Sequence, residues 1–100
     1  MKFLYGIQDV KSSSFVNFIV ADSDVIIKRG FISCLASDSD LSRFPEDFSL
    51  FRLGSVNDST GFLSPEMTPV LIMTAVEALK SLSTAASGFN QAGSETEQKL

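Results

Sequence analysis

A chain of 100 residues with 44% hydrophobic and 20% charged content has room for one small domain with one modest core, and this composition excludes a disordered protein. A net charge of −4 counts against a protein whose main work is clamping a phosphate backbone, because such binding draws its affinity from Lys and Arg. The lack of histidine removes the commonest general base and metal ligand, the single cysteine excludes an intrachain disulfide, and the longest apolar stretches fall far short of the ~20 residues that span a bilayer.

The chain opens with FLYGIQDV at 3–10, whose loose alternation predicts a first strand. The opening segment also lacks the apolar stretch and small-residue cleavage site of a signal peptide, so a soluble protein in a reducing compartment is expected. KSSS at 11–14 reads as a turn. FVNFIV at 15–20, β-branched and aromatic with only Asn17 polar, reads as a second strand buried on both sides or lying along an edge. ADSD at 21–24 then offers a helix start: Asp22 or Ser23 can accept from the first unpaired N–H groups, and Asp24 favours the positive end of the helix dipole. Positions 25, 28, 32 and 35, and again 27, 31, 34 and 35, fit a helical stripe better than strict alternation and predict a helix over 22–36. Cys34, in the run GFISCLA, reads as a small buried hydrophobe. ASDSD ends the helix and begins a polar loop.

Pro45 keeps Phe44 out of helical geometry, so the chain reaches Glu46 in an extended or turn conformation. FSLFRLGSV, apolar on both faces, predicts an internal strand, and NDSTG is a turn that Asn57 and Asp58 start and Gly61 closes with positive φ. Residues 48–63 are therefore expected to form a hairpin whose return strand Ser64-Pro65 cuts short. Pro65 or Pro69, behind Ser64 or Thr68, suits the first position of a helix, and Leu71, Ala75, Ala78, Leu79 and Leu82 make a stripe. The pattern predicts an amphipathic helix over 66–84, with Glu77 and Lys80 as a surface pair, a single domain over 1–86 and a flexible polar tail over 87–100.

The acidic motifs point away from catalysis. Consecutive carboxylates on a strand point to opposite faces, so Glu46 and Asp47 do not converge on a substrate; a turn ahead of a strand, with a carboxylate accepting backbone N–H groups, explains them. DSD at 22–24 and 38–40 lacks the remaining ligands of a calcium loop, and caps and solvated loops account for both. Without histidine no Ser-His-Asp arrangement exists, and Gly54 and Gly61 are too isolated for a phosphate loop. No enzyme activity, metal or cofactor is expected.

The order of these pieces resembles the small nonstructural protein of gokushovirus-type microviruses, which are single-stranded DNA phages. The likeness rests on Lys2, Tyr5, Ile7 and Asp9 in the first strand, Arg29 and Phe31 in the helix, and the Pro-Glu-Asp-Phe-Ser-Leu block at 45–50 with Gly54 downstream; it covers roughly residues 1–63. Phe44 stands where the family usually has His, Val56-Asn57 where Phe-Asp is common, and Asn17-Phe18 in place of a proline-rich segment. The resemblance implies a non-capsid accessory protein of the host cytoplasm that binds single-stranded DNA during genome replication or packaging.

The expected architecture is α+β: a small antiparallel sheet from residues near 3–10, 15–20, 48–56 and 61–63, covered by helix 22–36, with helix 66–84 on the same sheet or paired with its copy. The stripe Leu71, Ala75, Leu79 and Leu82, with Met67 and Met73, exceeds what one small sheet covers and predicts a homodimer. Two functions compete. A single-stranded DNA binder would use Lys2, Lys11, Lys28, Arg29, Arg43 and Arg52, with Tyr5 or an exposed Phe as a stacking surface. A protein-interaction module would bind a phage or host protein through its hairpin edge or C-terminal helix, without DNA contact.

Overall fold

Alternating apolar residues, short polar turns and two caps build a four-stranded antiparallel sheet with its helices on one side. The computed structural model describes residues 1–82. Strands β1 (Lys2–Asp9), β2 (Ser14–Ala21), β3 (Phe48–Val56) and β4 (Leu63–Thr74) are arranged β2-β1-β3-β4. Between β2 and β3 lie helix α1 (Asp24–Cys34), the single turn α2 (Asp40–Arg43) and a 3-10 turn at Pro45–Asp47; a final helix, α3, occupies residues 75–82 of the described chain. The α+β class and the antiparallel sheet are those expected from the sequence. The flexible tail expected over 87–100 lies outside the described residues. No helix among the described residues is long and apolar enough to cross a membrane.

The local signals act where they stand in the chain. The Ser23 hydroxyl accepts from the Ile26 N–H at 3.3 Å and starts α1. In the β3–β4 turn, Asn57 Oδ1 accepts from the Ser59 and Thr60 N–H groups at 2.9 and 3.2 Å. Gly61 takes φ +82°, a left-handed value that suits glycine. Pro45-Glu46-Asp47 forms a 3-10 turn that leads into β3. Its link to β1 is a main-chain bond, the Val10 N–H donating to the Asp47 carbonyl at 3.0 Å, rather than the carboxylate–backbone bond expected from the sequence.

The helix expected over 66–84 is corrected. Residues up to Thr74 continue the return strand, and helix begins only at 75. Pro65 suits the first position of a helix, but Pro69 would then fall inside it, where its ring clashes with the preceding turn and its missing N–H removes a hydrogen bond. An edge strand tolerates both prolines, and Val70 and Ile72 favour extended backbone. The register also loosens there: Arg52 stands opposite Val70 and Gly54 opposite Pro65, so a two-residue step on β3 spans five on β4 and the segment around Glu66 and Met67 bulges. The true helix start is a reciprocal cap. Thr74 Oγ1 accepts from the Glu77 N–H at 3.1 Å, and Glu77 Oε1 accepts from the Thr74 N–H at 2.9 Å. Glu77 is thus engaged in capping rather than in the expected pair with Lys80.

The core sits between the sheet and its helices. Tyr5 and Ile7 of β1, Leu50 of β3, Ile27, Phe31 and Leu35 along α1, and Ala75 and Ala78 of α3 are buried together. Full burial of side chains such as Phe31 or Ile27 contributes about 1.5–3 kcal/mol each. The buried stripe of α1 is narrower than expected: Val25 and Ile26 are exposed, and so is Cys34. Positions 27, 31 and 35 recur every fourth residue on one face, and Cys34 lies about 100° away from Leu35 around the axis. The stripe expected to drive dimerisation is divided as well, since Leu71 and Met73 belong to β4 while Ala75 and Ala78 are consumed by the core.

Gly54 marks the closest approach of β3 to β4. A Cβ there would lie 2.7 Å from the Ser64 carbonyl oxygen and 3.1 Å from the Pro65 Cα, both backbone atoms that cannot swing aside. Gly54→Ala is therefore expected to destabilise the fold by about 1–3 kcal/mol, read as a lower urea midpoint; an unchanged midpoint would show that β4 moves freely against β3.

Candidate functional site

Four elements meet at one polar network on the helix-covered face. Tyr5 on β1 is fully buried, and its hydroxyl donates to Asp24 Oδ1 at 2.5 Å. Arg52 on β3 donates through Nη1 to Asp24 Oδ2 at 2.7 Å and through Nε to Glu66 Oε2 at 2.8 Å. Its guanidinium also stands 5.9 Å from the centre of the Phe3 ring. Burial, then the bond to Asp24, pushes the Tyr5 phenol far above its ordinary value. The Tyr5 hydroxyl, and then Arg52, hold the Asp24 carboxyl below the usual carboxylate range against the opposing effect of burial. The network is arranged to hold α1 and the β4 bulge on the sheet.

This placement bears on each residue considered for DNA. Tyr5 is inside the core and presents no ring for stacking. Arg52 is engaged by two carboxylates. Lys2 pairs with Asp22, and Arg43 pairs with Asp40 at 3.0 Å and Asp38 at 3.4 Å. Lys11 lines a cleft of about 510 Å³ together with Asp9, Asp40, Glu46 and Asp47, beside Phe44 and Phe48. Lys28 and Arg29 are exposed on α1, with no ion pair among the described residues. Tyr5, Arg52, Lys2 and Arg43 are thus engaged within the protein, and Lys11, Lys28 and Arg29 have no ion pair among the described residues.

The cleft around Lys11 brings together carboxylates that were separate in the sequence. Asp9 comes from the end of β1, Asp40 from α2, and Glu46 and Asp47 from the 3-10 turn. No three His, Cys, Asp or Glu side chains among the described residues stand close enough to hold a metal ion. The four negative groups give Lys11 a local field that repels a phosphate.

The opposite face of the sheet has a different character. Gly6 lies at its centre, and a Cβ placed there would come within 2.9 Å of Leu53, 3.3 Å of Phe15 and 3.4 Å of Phe18. Phe15 meets Phe51 edge to face at 5.7 Å. Phe51 stands opposite Leu71 in the ladder, and Leu4 stands opposite Val20. These residues form an apolar platform across all four strands. No described helix covers it, because the buried residues of α1 and α3 pack on the Tyr5–Leu50 side. Phe18 is 61% exposed, Leu71 53% and Val20 52%, so this is bare surface rather than a second core. Beside it, Leu4, Leu53, Leu63 and Pro65 line an apolar hollow of about 280 Å³.

Sequence reasoning named Phe15, Phe18, Phe51 and Leu53 as strand residues but not as a site. The available signal was apolar alternation on both faces of β1 and β3 in a chain with too few helices to cover both sides of a sheet.

A model of the family described as Phage ORF5 protein matches residues 2–78, a span that takes in all four strands, the polar network and the apolar platform. No curated protein and no solved structure matches the chain.

The network sets the expected behaviour of its variants. Arg52→Ala leaves Asp24 and Glu66 without their counter-ion; because both carboxylates keep some solvent, the loss is about 2 kcal/mol rather than that of a fully buried pair. Tyr5→Phe removes one hydrogen bond and costs about 1 kcal/mol. Equal losses in urea denaturation would contradict the central place given to Arg52. The pH dependence follows from the two shifts. The lowered Asp24 value contributes stability that is present above the ordinary carboxylate value near 4 and is lost as pH falls through the folded value; the raised Tyr5 value contributes stability that is present below about 10 and is lost as pH climbs above it. Tyr5→Phe is expected to lose less stability than the parent chain between about pH 9 and pH 11. An identical alkaline limb in both proteins would refute the assignment.

Proposed function

The chain belongs to the Phage ORF5 protein family, and from that premise we propose that it serves its phage as a protein-interaction module that docks through the bare sheet face, without DNA contact. Membership of a phage family makes it a phage accessory protein. The motifs shared with gokushovirus-type microviruses, Tyr5, Ile7 and Asp9 in β1 and Pro45 to Leu50 before and into β3, favour a single-stranded DNA phage and action in the host cytoplasm. The reading includes no catalysis, in keeping with a sequence that has no histidine.

The observation that carries the proposal is the chemical character of the platform. Leu4, Phe15, Phe18, Phe51, Leu53 and Leu71 lie on one face with Gln8 and Ser49 as their polar neighbours in the ladder, and the charges that alternation places on this face, Lys2 and Asp22, stand at its end beyond Leu4 and Val20, where they pair with each other. A nucleic-acid surface of stacking rings needs cations tracking the backbone beside those rings. Here Arg52 lies on the other face, Lys2 and Arg43 are paired, and Lys28 and Arg29 ride on the helix behind the sheet. Uncharged apolar surface of this kind is matched by another protein surface.

Titration of a labelled single-stranded oligonucleotide at two salt concentrations tests the reading, with Lys28→Glu/Arg29→Glu as the comparison. The expected result is no binding at low salt. Binding that weakens with a log–log slope near −0.7 per phosphate contact would replace the interaction module with a DNA-binding role. Loss of that binding in the double variant would assign it to α1.

A further inference from the structure

We propose that the bare sheet face is the interface of a homodimer, so that the occupant of the platform is a second copy of this chain. The inference rests on the interaction reading above and names its partner.

Three observations select a second copy. The first is charge. The chain carries −4 overall, yet the charges on this face are the mutually paired Lys2 and Asp22 at its end, so two copies can bring the apolar part of these faces together while charged groups stay at the rim. The second is shape. Phe18 projects from β2 with 61% of its surface exposed, while the hollow lined by Leu4, Leu53, Leu63 and Pro65 lies on the same face toward the opposite edge, between β1 and β4. A two-fold axis lying midway between two such sheets and running along the strands, near β1 and β3, carries a feature on one flank of the first copy to the opposite flank of the second. That operation brings the projecting ring toward the hollow twice, which is the self-complementarity a two-fold interface requires. The third is extent. Four strands about 4.8 Å apart and about six residues long present roughly 400 Å² of projected face, which side-chain relief raises toward the about 800 Å² per partner of a stable interface. Face-to-face sheet packing at about 10 Å is the resulting geometry.

The chain itself offers a poor cover. Residues 83–100 contain only Phe89 and Leu100 as large apolar side chains, set among Ser, Thr, Gly, Gln and Glu. Two such residues cannot replace a platform that spans four strands.

The test is analytical ultracentrifugation of the full chain across a concentration series, for the parent and for Phe18→Glu and Leu71→Glu. Both positions are more than half exposed, so the monomer fold is expected to survive, with far-UV circular dichroism as the check. If Phe18→Glu loses its sheet signal, Phe18→Ser removes the ring without adding a charge. The expected result is a parent dimer whose dissociation constant rises about tenfold or more in each variant. A parent that stays monomeric at every concentration overturns the proposal, as does a dimer that both folded variants leave intact. The oligonucleotide titration is read independently, so a monomer that ignores DNA overturns the dimer alone, whereas a dimer that binds DNA overturns the reading beneath it and leaves the dimer standing.

Discussion

A guanidinium held between two carboxylates organises this fold. Arg52 belongs to an inner strand, Asp24 to the first turn of α1 and Glu66 to the bulged part of β4, and the three sit far apart in the chain. Their contact ties the helix to one face of the sheet and the edge strand to its neighbour. Tyr5 adds the buried anchor. Its ring fills the core while its hydroxyl, which would cost 1–3 kcal/mol if left unpaired, finds Asp24 at the edge of that core. Asp24 thus answers three demands at once: it complements the helix dipole, accepts from the phenol and balances the arginine.

This arrangement decides which charges remain for a ligand. Of the six cations considered for DNA, Arg52 and Lys2 are paired and Arg43 is matched twice by neighbouring aspartates. The other face of the sheet is mostly apolar, with Gln8 and Ser49 as its polar neighbours in the ladder. The helices and the Arg52 ion pairs gather on the Tyr5 side, and Phe15, Phe18, Phe51 and Leu53 gather on the Gly6 side. A two-layer domain normally buries its apolar sheet face against a second layer. Here one face has that layer within the described chain, and the other meets solvent unless another surface covers it.

Much of the architecture was legible in the residues themselves. Ser23 ahead of Asp24, the alternation at 48–56 and the Asn57–Gly61 turn each act through contacts only a few residues long, and each acts as read. The helix start was legible too, although the wrong signal was followed. Thr74-Ala-Val-Glu77 carries the reciprocal cap, whereas the prolines at 65 and 69 mark an edge strand. The two uses of proline look alike in one dimension, because both positions need no N–H. Val70 and Ile72, β-branched beside Pro69, carried the evidence for extended backbone.

By itself, the sequence determined a small α+β domain with a capped helix and a hairpin closed at Gly61, since propensity, capping and turn chemistry are local. Only the tertiary structure decided that Tyr5 and Arg52 belong to a buried polar network, that Asp9 and Asp40 join Glu46 and Asp47 around Lys11, and that Phe18 stands bare on the sheet. Each of these depends on strand register and on the side from which α1 crosses. A shift of one residue in register moves a side chain to the opposite face. Alternation therefore named the two apolar faces in advance, and the pairing of Arg52 with Asp24 settled which of them the helices cover.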